Sequence, residues 1–289
     1  MWPRVLLAIA ASACGRISFD AIDAIDATAT DAAPCTLGPW SASTRVEELV
    51  IPSSASLGAQ VSPDGLAIYF GSANANTQEL DIYEATRASR EEGFGPPARL
   101  VALASATYDH NPTIGNDGLE LWFSSDRTGA RCIYRSVRAS RAEAWPAPTV
   151  VPELCNARGD YDGAFLSADL RTLVYTLDPV PGTFLATRTS TTDSFPAGRR
   201  LDEIVFPLGW GFAALSSDQK TIYFEVYDNP EEVWLWEATR ASVDEPFGPA
   251  SRLPLDREGE DVSITADGRE LYFAAGATRA IFMATRECE

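Results

Sequence analysis

The sequence predicts an all-β fold: a five-bladed β-propeller of four-stranded antiparallel blades, its ring closed by an N-terminal strand. Three observations predict it. A strand–turn–strand unit centred on an aspartate returns five times, at Asp64, Asp117, Asp169, Asp218 and Asp267, with spacings of 53, 52, 49 and 49 residues. Each unit is followed by another strand ending in arginine, at Arg87, Arg138, Arg188, Arg240 and Arg286. The last unit stops before its fourth strand, and a matching segment stands near the N-terminus. One four-stranded sheet of this size cannot bury both faces. Stacking such sheets around an axis does so, and a period of about 40–50 residues with four strands per repeat is the propeller signature.

Within a unit, strands a, b, c and d follow in order. The first repeat runs from Val61 through Ser62-Pro63-Asp64-Gly65 to Phe70, and the second from Ile114 through Asp117-Gly118 to Phe123. Proline presets φ, aspartate caps the turn locally and glycine takes the left-handed position, so Pro-Asp-Gly between apolar runs is a hairpin turn. In the third and fourth repeats that glycine is replaced by Leu170 and Gln219. The flanking segments alternate and are rich in Ile, Tyr, Phe and Val, as strands are. Seven residues after the arginine of strand c stands an aromatic (Phe94, Trp145, Phe195, Phe247), and strand d leads to Leu100, Val151, Leu201 and Leu253.

The segment Trp40 to Val46 matches Phe94 to Leu100 and Phe247 to Leu253. The first strand of the domain should therefore be strand d of the last blade, which leaves no sheet edge exposed. Cys35 lies five residues before Trp40, and Cys288 two after Arg286. Both map onto one repeat position, that of Ser89, from opposite ends of the chain, so a Cys35–Cys288 disulfide is expected. Cys132 opens strand c of the second blade and Cys155 follows its strand d, so these should form a second bridge. Paired cysteines suit an oxidising, extracytoplasmic compartment.

The chain has 289 residues and a formal net charge of -18. Nucleic-acid affinity rests on Lys and Arg neutralising phosphates, so nucleic acid is not an expected partner. A polybasic grip on anionic lipid is equally out of place. His110 is the only histidine and Lys220 the only lysine, which removes His-rich zinc sites and leaves little room for a histidine-based triad. No Asp-x-Asp-x-Asp-Gly loop offers a dedicated calcium site. Neither a metal nor a cofactor is expected.

At the N-terminus, Arg4 precedes the apolar run Val5 to Ala13, and Cys14 follows. A positive charge, a short apolar core and small residues have the order of a secretory signal. The run is too short to span a bilayer, which needs roughly 20 apolar residues. Ala11-Ser12-Ala13-Cys14 resembles the lipobox of bacterial lipoproteins, although Ala11 stands where leucine is usual. That resemblance implies cleavage before Cys14 and lipidation of its thiol. Residues 1–13 are then a signal peptide, 14–34 an acidic Ala/Asp/Thr tether with a local three-residue repeat, and 35–289 the propeller. The formal charges of these three segments are +1, -3 and -16, so the acidity belongs to the ring.

The unit Ser62-Pro63-Asp64-Gly65 leading to Ile68-Tyr69-Phe70, followed by Asp81-Ile82-Tyr83 and Ala85-Thr86-Arg87, resembles the PD40 repeat of TolB-like propellers. The resemblance covers residues 40–289. It implies the propeller fold and residence in the periplasm of the cell envelope; Gly15 directly after Cys14, in place of the aspartate that retains lipoproteins in the inner membrane of enteric bacteria, favours the outer membrane. Propellers of that family usually have six blades, and the separate N-terminal domain of TolB has no counterpart here, so the family's envelope-complex role does not transfer. Hydrolases with such propellers carry a Gly-x-Ser-x-Gly elbow, which is absent.

The Asp-Gly turns are a–b loops, and one aspartate and one arginine per blade on that face suggest structural Asp–Arg pairs. The opposite face, built from d–a and b–c loops, is irregular, and function concentrates in such loops. Its d–a loops deliver Asp109, His110, Asn111, Tyr161, Asp162, Trp210, Glu260 and Asp261 toward the axis, and the b–c loops add Asp126, Arg127, Asp178, Tyr227 and Asp228. Aromatics beside carboxylates suit a protein, peptide or glycan partner. The bland alternatives are that His110 is a hydrogen-bonded strand-entry residue, that Trp210 packs between blades and that the acidic rim only solvates.

Two functions fit. One is a non-catalytic envelope lipoprotein that binds its partner on this face. The other is a five-bladed glycoside hydrolase or lyase using Asp109, Asp162 and Asp261, which would need two carboxyls roughly 5–9.5 Å apart. Peptide mapping without reductant should recover Cys35 linked to Cys288 and Cys132 linked to Cys155; unlinked Cys35 and Cys288 would undo the closure argument.

Overall fold

The computed structural model describes residues 36–289 apart from 53, 74–78, 116, 157–158, 205–210 and 230–231, and leaves out the side chains of 181, 228 and 229. The chain builds five four-stranded antiparallel sheets. In blade 1, strands a to d are Ser56–Val61, Ala67–Ala73, Leu80–Thr86 and Ala98–Arg99. Blade 2 has Asp109–Ile114, Glu120–Ser125, Cys132–Val137 and Thr149–Val150; blade 3 has Asp160–Leu166, Thr172–Asp178, Val180–Thr187 and Arg199–Arg200. Blade 4 has Ala213–Leu215, Thr221–Asn229, Glu232–Thr239 and Ser251–Arg252. Blade 5 has Glu260–Ile264, Glu270–Ala275 and Ala280–Thr285, and its strand d is Thr44–Arg45.

The ring therefore closes as the repeat requires. Thr44 pairs with Met283 and Arg45 with Phe282. The closure extends past the strand: Leu37 bridges Cys288, Gly38 N–H donates to Glu287 O at 2.8 Å and Glu289 N–H to Thr36 O at 2.9 Å. Cys132 and Cys155 form a disulfide across 4.6 Å between Cα atoms. Cys288 is disulfide-bonded, and its expected partner Cys35 lies outside the described residues, as do Cys14, the signal segment and the tether.

The core is divided among the blade interfaces. Each of five hydrophobic clusters draws on two neighbouring blades: Tyr69, Ile82 and Leu103 of blade 1 pack with Leu121, Phe123 and Trp145 of blade 2, and Tyr272 and Ile281 of blade 5 pack with Val61, Ile68 and Phe70 of blade 1. The alternating strands supply one apolar face to each neighbour, which is why all six residues of Glu120–Ser125 and of Glu270–Ala275 are buried. A further anchor follows strand d, as Leu49, Leu103, Leu154 and Ile204, each nearly sealed from solvent.

The repeated aspartates hold their own turns. Asp64 Oδ1 accepts from Ser62 Oγ and Leu66 N–H, Asp169 Oδ1 from Ser167 Oγ and Arg171 N–H, and Asp267 Oδ1 from Thr265 Oγ1 and Arg269 N–H. The third turn residue is left-handed in every blade, and Leu170 and Gln219 adopt it at φ 59° and 58° where the other blades use glycine. Gln219 is tied there by its side chain, which accepts from Thr172 Oγ1 at 2.6 Å.

The repeated arginines do not pair with these aspartates, contrary to the expectation. Their Nε atoms donate to the turn carbonyls of Gly65, Gly118, Leu170, Gln219 and Gly268 at 2.6–3.0 Å. Each guanidinium lies over the aromatic of its own blade: Arg87 on Phe94, Arg138 on Trp145, Arg188 on Phe195 and Arg240 on Phe247, at 4.1–4.6 Å. In blade 5, Arg286 stacks on Trp40, 4.1 Å away and supplied by the N-terminal segment. The aspartates that do meet arginine reach across a blade boundary to a second arginine, Asp64 to Arg141 and Asp267 to Arg90.

Arg240→Ala should remove one stack and one buried hydrogen bond, about 2 kcal/mol together. Thermal unfolding should show a midpoint lower by about 5 °C for a body of this size. Arg240→Lys should not restore it, because an ammonium has no planar face to stack.

Candidate functional site

The innermost strands are bulged at one repeated place. The register slips between Leu57 and Gln60, His110 and Thr113, Asp162 and Phe165, and Glu260 and Ser263. At each slip one residue turns left-handed: Gly58, Asn111, Gly163 and Asp261, at φ 51–60°. Phe212 takes the corresponding place in blade 4. Together these five residues line the cavity on the axis. The glycines are required by close approach as well as by φ. A Cβ on Gly58 would drive into Asn111, and one on Gly163 into the Phe212 ring. Side chains from two blades thus fill the space left by two others, and the cavity that remains is about 30 Å³, room for one or two waters.

Around this plug the charges divide into two halves. On the side of blades 2 and 3 the carboxylates of Asp109 and Asp162 have both cationic and N–H partners. Asp109 is fully buried and accepts from Arg127 Nη2 and from Ser105 N–H, both at 2.7 Å. Arg127 itself lies 4.6 Å over Tyr134. Asp162 accepts from Asn111 Nδ2, Gly163 N–H and Arg131 Nη1, each at 2.8 Å, with His110 Nδ1 at 3.8 Å. Burial works to raise the Asp162 carboxyl, but His110, Arg131 and Asn111 outweigh it and hold it below the ordinary carboxylate range.

The side of blades 4 and 5 is the reverse. Glu225, on strand b of blade 4, is buried, and its Oε2 accepts the Asp261 N–H at 2.8 Å. Asp261 Oδ2 accepts the Gly58 N–H at 3.0 Å. Neither carboxyl has an ion-pair partner among the described residues. Burial, followed by the negative charge of neighbouring carboxylates, raises both: Glu225 well above its usual value and Asp261 to about 7. Glu260 is paired with Arg279 Nε at 2.7 Å and is raised by burial.

Of the residues expected to bind, Asn111, His110 and Asp162 come together in one network, and Asp261 joins them at the axis with Glu260 beside it. Asp109 faces outward from that network to Arg127. Tyr161 is buried in the cluster between blades 2 and 3, stacked toward Tyr175 at 5.7 Å, and its hydroxyl donates to Asn156 Oδ1 at 3.1 Å. Trp210 and the side chain of Asp228 lie outside the described residues. Tyr108, one residue before strand a of blade 2, is 46 % exposed, an aromatic on a d–a loop that the sequence reading passed over. Glu225 was passed over as well. Its signal was comparative: the same position holds Gly71, Ser124, Thr176 and Ala274 in the other blades. Among the described residues no cluster of three or more His, Cys, Asp or Glu is arranged to hold a metal ion.

Blade number, ring closure and plugged axis define a five-bladed β-propeller. No family model matches the chain, and no curated protein matches it. Solved structures do. The catalytic domain of a GH62 alpha-L-arabinofuranosidase from Coprinopsis cinerea matches with a TM-score of 0.61 at 10% identity, over 86% of this chain and 96% of that one. A family 117 glycoside hydrolase from the marine bacterium Zobellia galactanivorans matches with a TM-score of 0.57 at 13% identity, over 86% and 90%. TolB from Acinetobacter baumannii matches with a TM-score of 0.48 at 17% identity, over 81% of this chain; the chain spans 55% of that TolB. At these identities the likeness is one of fold.

The two raised carboxyls make stability depend on pH. A carboxyl whose folded value lies above its unfolded value stabilises the fold while protonated, and that contribution declines as pH rises toward the folded value. For Asp261 the window runs from about 4 to about 7. Asp261→Asn keeps an acceptor for the Gly58 N–H and removes the charge. Its thermal midpoint should exceed that of the native chain by a few degrees at pH 8 and match it at pH 4.5.

Proposed function

We propose that the protein is a non-catalytic envelope lipoprotein, anchored through Cys14, whose propeller binds a protein, peptide or glycan partner on the d–a and b–c loop face. One observation carries the non-catalytic part: the three carboxyls available for glycosidic chemistry are committed inside the protein. Asp109 and Asp261 are buried, and Asp162 already accepts from Arg131, Asn111 and Gly163. A nucleophile or a base must have a lone pair free to face substrate or water. The exposed Tyr108 beside the rim supplies the kind of surface that binding uses, an aromatic face with a polar tip. The acidic ring favours neutral or cationic partners over anionic envelope polymers. No helix among the described residues is long and apolar enough to cross a membrane, and the anchor proposed is the lipid.

A second reading has one observation in its favour. Asp261, raised to about 7, exchanges its proton near neutral pH, the range a general acid needs. It would make the chain a glycoside hydrolase or lyase.

One pair of measurements separates the readings. Purified full-length protein incubated with aryl arabinofuranosides and xylosides should release no phenol above the buffer rate, whereas turnover abolished by Asp261→Asn would establish the hydrolase. On peptide and glycan arrays the native chain should show saturable binding. Tyr108→Ala should weaken it about tenfold with thermal stability unchanged; binding indifferent to Tyr108 would move the site off this face.

A further inference from the structure

The repeat places one carboxylate between two arginines at the interface of blades 5 and 1. Glu270, the first residue of strand b in blade 5, accepts from Arg87 Nη2 at 2.6 Å and Arg90 Nε at 2.8 Å, and Tyr272 donates its hydroxyl to the same group at 2.9 Å. Asp267, in the turn below, also accepts from Arg90, and the Arg87 and Glu270 side chains are 4% and 10% exposed.

The next interface, between blades 1 and 2, repeats every part of this arrangement but one. Arg138 and Arg141 stand 51 residues after Arg87 and Arg90, Tyr69 stands where Tyr272 does, and Asp64 where Asp267 does. Asp64 accepts from Arg141 Nη1 at 2.7 Å, as Asp267 accepts from Arg90. The residue at the place of Glu270 is Ala67. A cleft of about 220 Å³ opens there, lined by Asp64, Ala67, Tyr69, Glu84, Arg138 and Arg141 among others. The remaining carboxylate, Glu84, comes from strand c and takes the Tyr69 hydroxyl at 2.6 Å. Arg138 donates to the carbonyls of Gly118 and Glu143, stacks on Trp145 and reaches the Tyr69 hydroxyl, and it makes no ion pair among the described residues. The other interfaces lack the second arginine: Thr191, Val243 and Glu289 stand at its place.

We propose that this cleft, on the face opposite the candidate site, binds the carboxylate of a small organic acid in the place that Glu270 fills at the neighbouring interface. Beyond Cβ a glutamate side chain is a propionate-like fragment lacking one carbon, so the ligand carboxylate occupies the gap over Ala67, between Arg138 and Arg141. Planar guanidinium forks match a carboxylate, and hydrogen bonds to charged groups are the stronger kind. The volume is below that of a drug-sized pocket, which limits the rest of the molecule to a few carbon atoms.

The probe is sodium propionate, with propionamide as its neutral isostere, followed by ligand-observed NMR on the full-length protein at constant ionic strength. Propionate should bind with millimolar affinity and propionamide at least about tenfold more weakly. Ala67→Glu rebuilds the neighbouring arrangement inside the chain, so it should abolish propionate binding and raise the thermal midpoint. Arg141→Gln, at a half-exposed side chain, should weaken binding about tenfold without unfolding the protein. Absence of propionate binding at 50 mM (about fifty times a 1 mM constant), equal binding of the amide, or binding that survives Arg141→Gln would each overturn the proposal. Should Ala67→Glu fail to fold, Arg141→Gln decides alone.

Discussion

One guanidinium per blade holds this molecule together. The arginine at the end of strand c ties the a–b turn through a carbonyl, lies flat on the aromatic that precedes strand d, and looks across to the blade before it. Three separate segments of each repeat are thereby fixed by a single planar group. Arginine suits the position because its fork supplies several donors in one plane and because it is less strongly hydrated than an ammonium. Burial still acts on it: the guanidiniums of Arg188 and Arg240 are lowered from their ordinary values by desolvation. They remain charged at any pH the protein meets, and carbonyl dipoles and ring faces compensate the charge without carboxylates.

Freed from that duty, the repeated aspartates and the blade interfaces vary. Aspartates cap their own turns, and where a second arginine is present they bridge to the next blade. Glu270 with Arg87 and Arg90 ties the interface of blades 5 and 1, where segments from opposite ends of the folded body meet. At the axis the constraint is space rather than charge. Five innermost strands converge, each bulge must turn left-handed or give way, and glycines at Gly58 and Gly163 admit their neighbours' side chains. The result is a filled hub in which Asp162 is ion-paired on one side while Glu225 and Asp261 on the other accept only backbone N–H groups, and on it the loops of the irregular face are mounted.

The fold was legible because it is periodic. Five copies of one turn, five arginines and five aromatics fixed the blade count, and the missing strand d, together with Trp40, fixed the closure. Trp40 proved informative beyond its strand, since it also completes the fifth arginine stack. What periodicity could not reveal is the partner of a repeated charge. Aspartate and arginine on one face invite pairing, yet aspartate is satisfied within two residues of itself and arginine prefers the ring seven residues on. The site was less legible for the opposite reason. Its decisive groups, Glu225, Arg131 and Phe212, occur once each, and a buried glutamate in an apolar strand shows only against the small residues of its sister blades. Asn111 and Asp261 were named from their loops, but their left-handed backbone was not visible in residues that are not glycine.

The clasp in blade 5 also sets the order in which the chain can become a ring. Thr44 and Arg45 leave the ribosome among the first residues of the folded body, and their partners Met283 and Phe282 among the last. Contacts so distant in sequence close one very long loop, the slowest kind of contact to make. Blades 1 to 4 can assemble in succession as their strands emerge, each against the one before, while the outer edge of strand c in blade 5 has nothing to pair with until the N-terminal segment returns to it. The strand pairing that closes the ring therefore has to wait for strand c of blade 5, although its other member is made at the start of the folded body.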